Sequence, residues 1–212
     1  MYNNKFFRIN EKENLVKLIR ETGGFGTIVL KGSNGFMATS VPMLVDDSGT
    51  FLEGHIASAN PMVTHMDNEE VIVVFIEADH YISANWYGES IPVPTWNYIE
   101  VQVLGKLHVI HGETELIRIL DNLSDIQEKN IRGNWKTDWN VKQYEAMLRE
   151  ITGFRIDISH IEGKMKLSQN HKKENIEYVV SSLRKVGTNK AMEFADIMEK
   201  SISEGKDWKK HR

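Results

Sequence analysis

The spacing of apolar residues changes along the chain, and the changes mark its elements. Leu15, Leu18 and Ile19 recur at helical spacing behind Asn10 and Glu13, which stand at the separation of a capping box, and Gly23-Gly24 supplies a stop; a short amphipathic helix is predicted. From Phe25 the period falls to two. FGTIVLK, FMATSVPMLV and TFLEGHIA, divided by Gly-bearing turns, predict a meander of three strands. Pro42 stands inside the second, where its missing N–H predicts an edge or a bulge. Asn60-Pro61 then has the form of a helix start, with Asn60 or Ser58 as cap. The exposed amides of such an end favour an anion, although an isolated Asn-Pro also reads as a plain capped helix.

VIVVFIEA is continuously apolar and predicts a buried strand, and YIEVQVLGKLHVIH alternates over the length of a long one. Between Gly112 and about Lys129 the period returns to that of a helix, through Leu116, Ile119, Leu120, Leu123 and Ile126. A second helix is expected from Asn140 to Ile151, with Asn140 and Gln143 as a capping box. FRIDISHIEG predicts one more strand. Two closing helices follow, about Lys173–Lys185 ended by Gly187, and Thr188–Ser203 capped by Thr188. The pattern is α+β: a β-rich body, a helical insertion at about 112–152, and a helical C-terminal region at about 172–204, read as one domain over residues 1–212.

Composition narrows the functions this frame can carry. The charged fraction of 26% and hydrophobic fraction of 41% belong to an ordinary globular chain. A net charge of −4 argues against autonomous DNA binding while leaving room for a local basic patch. Cysteine is absent, which removes disulfides, thiolate nucleophiles and Cys-based metal sites and fits a reducing compartment. The N-terminus has no apolar leader and no run approaches the roughly 18 apolar residues of a membrane span, so a cytoplasmic protein with no membrane partner is expected.

Candidate chemistry concentrates between Tyr81 and Lys106, which holds two of the five tryptophans, three of the six tyrosines and two of the four prolines. Ser83, Asn85, Trp86, Thr95, Trp96 and Asn97 interleave hydroxyl, amide and indole groups there. That mixture suits a planar ligand with a polar edge, and it equally serves a loop anchored by packed tryptophans. His108-x-x-His111 is the closest histidine pair, but residues three apart on a strand face opposite ways, so no metal site is expected. P-loop, GxGxxG and GxSxG signatures are all missing, which withdraws sequence support from nucleotide hydrolysis, Rossmann binding and α/β-hydrolase chemistry. The basic C-terminal stretch EGKDWKKHR reads as a solvated end more than as a DNA arm.

YISANWY, VPTWNY, KLSQN, GHIASANP and the opening MY…FF together resemble the PaiB family of FMN-binding negative transcriptional regulators, over about Tyr2 to Met198. The resemblance implies a flavin-reductase-like split β-barrel, related to pyridoxamine phosphate oxidases and built as a homodimer with FMN at its interface. It implies that Ala38, Thr39, Ser40, Val41 and Pro42 lie beside the isoalloxazine, and that His55, Ala57, Asn60 and Pro61 surround the ribityl phosphate. Thr95, Trp96 and Asn97 then match polar contacts to the ring edge, with Ser83 and Trp86 in the same aromatic segment. Lys166, Gln169 and Asn170 are implied to reach the cofactor bound mainly by the other subunit, where the residues alone would also make a loop that caps the next helix. The related oxidases use an Arg-Lys pair for phosphate where this chain has Asn60-Pro61, and their C-terminal Arg-x-His has no counterpart. A regulator acting on DNA or through a DNA-binding partner is the function the resemblance implies; no helix-turn-helix signature is visible, so that role rests on the resemblance alone. A flavin-dependent oxidoreductase for a small metabolite and a haem or other planar-ligand binder are the alternatives.

Overall fold

The computed structural model describes residues 1–88 and 92–203; the basic stretch singled out at the C-terminus lies outside them. Its contacts gather into two compact units, one of Glu11–Phe75 with Val101–Glu162 and the other of Met1–Asn10, Ile76–Glu100 and the chain from Gly163 onward. The strands are β1 (Arg8–Ile9), β2 (Phe25–Gly32), β3 (Gly35–Val45), β4 (Phe51–Ala57), β5 (Glu70–Ile82), β6 (Thr95–Ile110) and β7 (Ile151–Lys166). The helices are α1 (Lys12–Glu21), α2 (Glu113–Asn130), α3 (Lys142–Arg149), α4 (Lys173–Val186) and α5 (Asn189–Ser203).

The strands form one sheet in the order β1-β7-β4-β3-β2-β5-β6, and a further pairing of β6 with β7 closes it into a barrel, most of whose wall lies in the first unit. Ile28, Leu30, Met43, Leu52, Val73, Phe75, Val103 and Phe154 fill its interior, each almost wholly shut off from solvent; burial of one such side chain stabilises the fold by about 1.5–3 kcal/mol. The first turn is set by glycine. Gly24 has φ +71°, and a side chain there would run into the carbonyl of Met43, so only glycine fits where the chain passes from α1 into β2. Asp46 closes the β3–β4 turn, its carboxylate accepting from the backbone N–H of Phe51 at 2.8 Å and of Ser48 at 3.1 Å.

Two expectations need correction. Helix α1 begins after Glu11 with no side-chain cap, so Asn10 and Glu13 form no capping box, and α3 likewise begins after Val141, not at Asn140. Strand β5 is not buried on both faces: Val71, Val73 and Phe75 point inward while Ile72 stands 42% exposed on the outside. Continuous apolar sequence therefore covers an outward face as well as a core.

Helix α2 is tied to the barrel by a buried charge. Glu53 on β4 is 4% exposed and accepts from Arg118 of α2 at 2.8 Å, while Arg155 of β7 stands 3.9 Å from its other oxygen and lies over the Phe51 ring at 3.8 Å. Leu116, Ile119 and Leu123 are the buried face of α2, and the Gln127 amide donates to the Gly23 carbonyl at 2.8 Å.

In the second unit α4 and α5 pack through Val179, Val180 and Leu183 against Phe194, Ala195 and Met198. Gly187 (φ 72°) ends α4 in the left-handed conformation, and the Thr188 hydroxyl caps α5 by accepting from Ala191 N–H at 3.2 Å, both as the sequence predicts. Among the described residues no helix is long and apolar enough to cross a membrane.

Candidate functional site

The candidate residues fall into two clusters, one in each unit. In the barrel, β3 and β4 part company. Their ladder is registered only where Met43 to Val45 face Gly54 to Leu52; beyond it β3 stays with β2 as far as Gly35 and β4 stays with β7 as far as Ala57. Pro42 explains the break. Because Met43 N–H bonds back to Gly24, the neighbouring position turns its nitrogen the other way, towards β4, and a proline there has nothing to donate. Pro42 thus sits in a strand flanked on both sides, and interrupts one of its two ladders.

His55 and Ala57 lie on β4 just past this parting, and Thr39 lies on β3 before it. The Asn60 side chain donates to the Thr39 hydroxyl at 3.3 Å and accepts from Met62 N–H at 2.9 Å, so it both caps the turn and reaches the strand. The expected helix start at Pro61 is one turn of 3₁₀ helix, Pro61–Thr64. Its amides are largely engaged: Asn60 N–H goes to Ala57, Met62 N–H to the cap, Val63 N–H to Asn60, and Pro61 has none. Ala38 and Ser40 point outward from β3, with Ser40 sharing a 2.9 Å hydroxyl contact with Thr27, whereas Val41 belongs to the core at 7% exposure.

His55 is the unsatisfied member. Its Nδ1 is sealed from solvent and has no hydrogen-bond partner among the described residues. Burial pushes the imidazole below its ordinary value, so the ring is neutral at pH 7 and offers a hydrogen bond without a charge.

The second cluster joins the start of β6 to the end of β7. Lys166, the last residue of β7, donates to the Thr95 hydroxyl and to the Trp96 carbonyl, the latter at 2.9 Å. Trp96 itself is 54% exposed and meets Tyr81 edge-on at 6.0 Å. Asn97 is different in kind: completely buried, it donates to Ser168 Oγ at 2.9 Å, and Tyr87 OH stands 2.8 Å from the same hydroxyl. This three-member network holds Ser168 at φ +64°, a left-handed conformation rare for serine. Asn97 is thus enclosed in the framework of the KLSQN loop.

Gln169 also turns inward, donating to the Met165 carbonyl and accepting from Leu167 N–H at 2.6 Å, while Asn170 is exposed. Ser83 caps the 3₁₀ turn Ala84–Trp86 by accepting from Asn85 N–H at 3.3 Å, and Trp86 leans on His80 at 6.3 Å. Sequence reasoning named neither Tyr87 nor Lys164 as a site residue, and took Ser168 only as the hydroxyl of KLSQN. A tyrosine beside an indole and a serine inside KLSQN stood in the right stretches, but a left-handed serine leaves no mark in a linear pattern.

A closed six-stranded antiparallel ring broken at one ladder, with helices inserted before its last strand, is the flavin-binding split barrel. Solved structures share it: the FAD and haem binding protein from Mycobacterium smegmatis at TM-score 0.59, with 15% identity over 80% of this chain and 78% of that one, and the flavocytochrome Anf3 from Azotobacter vinelandii at 0.57, with 13% identity over 79% and 74%. These likenesses concern the fold. Residues 1–160 match the family described as "Putative FMN-binding domain", and the chain belongs to it. It is 30% identical to the "Protease synthase and sporulation protein PAI 2" of Bacillus subtilis (strain 168), over 95% of this chain and 98% of that one, which places it with the PaiB proteins. FMN is the cofactor this membership supports. Each cluster, taken by itself, offers a group that such a cofactor can bond: an enclosed imidazole nitrogen in need of a partner beside the parted strands, and an ammonium beside an exposed indole.

Proposed function

We propose that this protein is a flavin-binding regulator that works as a homodimer, with FMN held at the interface between subunits. The observation that carries the flavin reading is the sealed, unpartnered Nδ1 of His55 at the place where β3 and β4 part. A buried polar nitrogen without a partner costs about 1–3 kcal/mol, and a ligand hydrogen-bonding there recovers it. FMN, when bound, supplies one- and two-electron chemistry of its ring. The chain's own groups bind and orient it: Thr39 and Asn60 at the parting, and Thr95, Trp96 and Lys166 at the second cluster.

The dimer is supported by the outer face of β2, β3 and β5. Val29 stands opposite Ala38 on one side and Ile72 on the other, with Phe25 and Phe36 exposed beside them, an apolar surface that a lone subunit leaves in water. In such a dimer each flavin contacts the parted strands of one subunit and the KLSQN loop of the other, where Gln169 sets the shape of the loop and Asn170 is exposed on it. The regulatory role rests on the resemblance to the PaiB family of transcriptional regulators, and acts on DNA or through a DNA-binding partner.

The absorbance spectrum of the purified protein, taken with its sedimentation, tests this reading. A flavin spectrum and a dimer at micromolar concentration are expected. A haem band, or a folded monomer that takes up no FMN, would overturn it.

A further inference from the structure

The end of β7 holds a pair of lysines whose hydrogen-bond partners leave their charge unanswered. Lys164 and Lys166 are two residues apart on one strand, so their side chains leave the same face. Lys164 is 8% exposed; its ammonium donates to the Tyr2 carbonyl at 3.0 Å and lies 5.3 Å from the centre of the Tyr98 ring. Lys166 is half-buried between the Thr95 hydroxyl and the Trp96 carbonyl. All of these partners are neutral. Arg8 adds a third cation, directly opposite Lys164 in the β1–β7 register, where like charges repel.

Burial, and then the field of Lys164, push Lys166 below its ordinary value, with no acidic group acting in the other direction. An amide side chain could reach a carbonyl without carrying a desolvated charge, so a charged residue here, with no carboxylate among its hydrogen-bond partners in the described residues, calls for an anion. At the first cluster His55 is neutral and most amides of the Asn60–Thr64 turn are taken.

We propose that the Lys164–Lys166 pair binds the phosphate monoester of FMN, Lys166 donating its remaining N–H directly and Lys164 strengthening the field from its enclosed position. This rests on the flavin reading above and names what makes the site select the phosphorylated cofactor. Lysine serves phosphate as a point charge, so the interaction tolerates imperfect geometry and weakens with salt.

The experiment titrates flavin-free wild type, Lys166→Met and Lys166→Arg with FMN and with riboflavin, followed by flavin fluorescence at low and high salt, with inorganic phosphate as competitor. The wild type should prefer FMN by about 10- to 100-fold at low salt, the range of a charge-assisted hydrogen bond. Lys166→Met should lose most of that preference while its riboflavin affinity stays put, and Lys166→Arg should keep it. Inorganic phosphate should compete with FMN and leave riboflavin binding untouched. Equal losses for both flavins in a folded Lys166→Met protein would overturn the phosphate assignment and leave the flavin reading standing. Binding of neither flavin by the wild type would overturn both.

Discussion

The two clusters use polar side chains in opposite ways. At the start of β6, Asn97, Ser168 and Tyr87 satisfy one another inside the protein and hold a strained loop in place. At the parting of β3 and β4, His55 keeps a sealed nitrogen with nothing to bond. The contrast teaches that an amide or imidazole in a suggestive stretch is of two kinds, one spent on the framework and one left open. Only the balance of partners in the folded chain tells them apart.

The largest effect expected from this contrast is at Asn97. Asn97→Ala removes a buried amide, opens a cavity and takes from the Ser168 hydroxyl one of its two partners, and should cost about 3 kcal/mol in urea unfolding. A loss under about 1 kcal/mol would break the comparison, because Asn97 would then carry no framework.

Ser168 sharpens it. Ser168→Ala and Ser168→Gly both lose the shared hydroxyl, but only glycine accepts φ +64° without strain, so the glycine variant should be the more stable by about 1 kcal/mol. Equal melting points would mean that the left-handed conformation stores nothing.

His55 gives the smallest effect and the opposite sign. His55→Leu should leave flavin-free stability unchanged or raise it by up to about 1 kcal/mol, since it removes an unsatisfied polar atom, while weakening FMN binding. Its pH dependence follows from the lowered ionisation of the buried ring. Below the ordinary value of 6.5 the unfolded chain takes up a proton that the folded chain resists. Stability is therefore fully present above that pH and declines as pH falls towards the folded value. The wild type should lose more stability than His55→Leu between about pH 7 and pH 5. Parallel curves would contradict a neutral, buried His55.

Much of the frame was legible because its signals are local. Gly23-Gly24, Gly187, the Asn60 cap and the Thr188 cap each act within a turn, and each stands where the sequence puts it. The meander of β2, β3 and β4 was equally plain from its period of two. Asn10 and Asn140 show the limit: capping-box spacing was present, but the helices start one residue later with no side-chain cap.

The site was legible only in outline. Thr95, Trp96 and Lys166 do meet, yet that meeting joins positions 71 residues apart, which no local pattern encodes. Asn97 reads the same as Asn60 on paper, and one is enclosed while the other reaches Thr39. Ile72 likewise resembles Val73, and only the curvature of the closed sheet decides which faces water.

The way α2 is fastened to β4 has a consequence for amide hydrogen exchange. The helix is pinned by Leu116, Ile119, Leu123 and the Arg118–Glu53 pair along its first three turns, whereas Ile126 is 41% and Ile131 73% exposed. Amides donating within the pinned stretch can open only when the barrel itself opens, so they report its global unfolding. Beyond Gln127 the backbone can detach at a smaller free energy, and those amides should exchange orders of magnitude sooner, giving one helix two clocks.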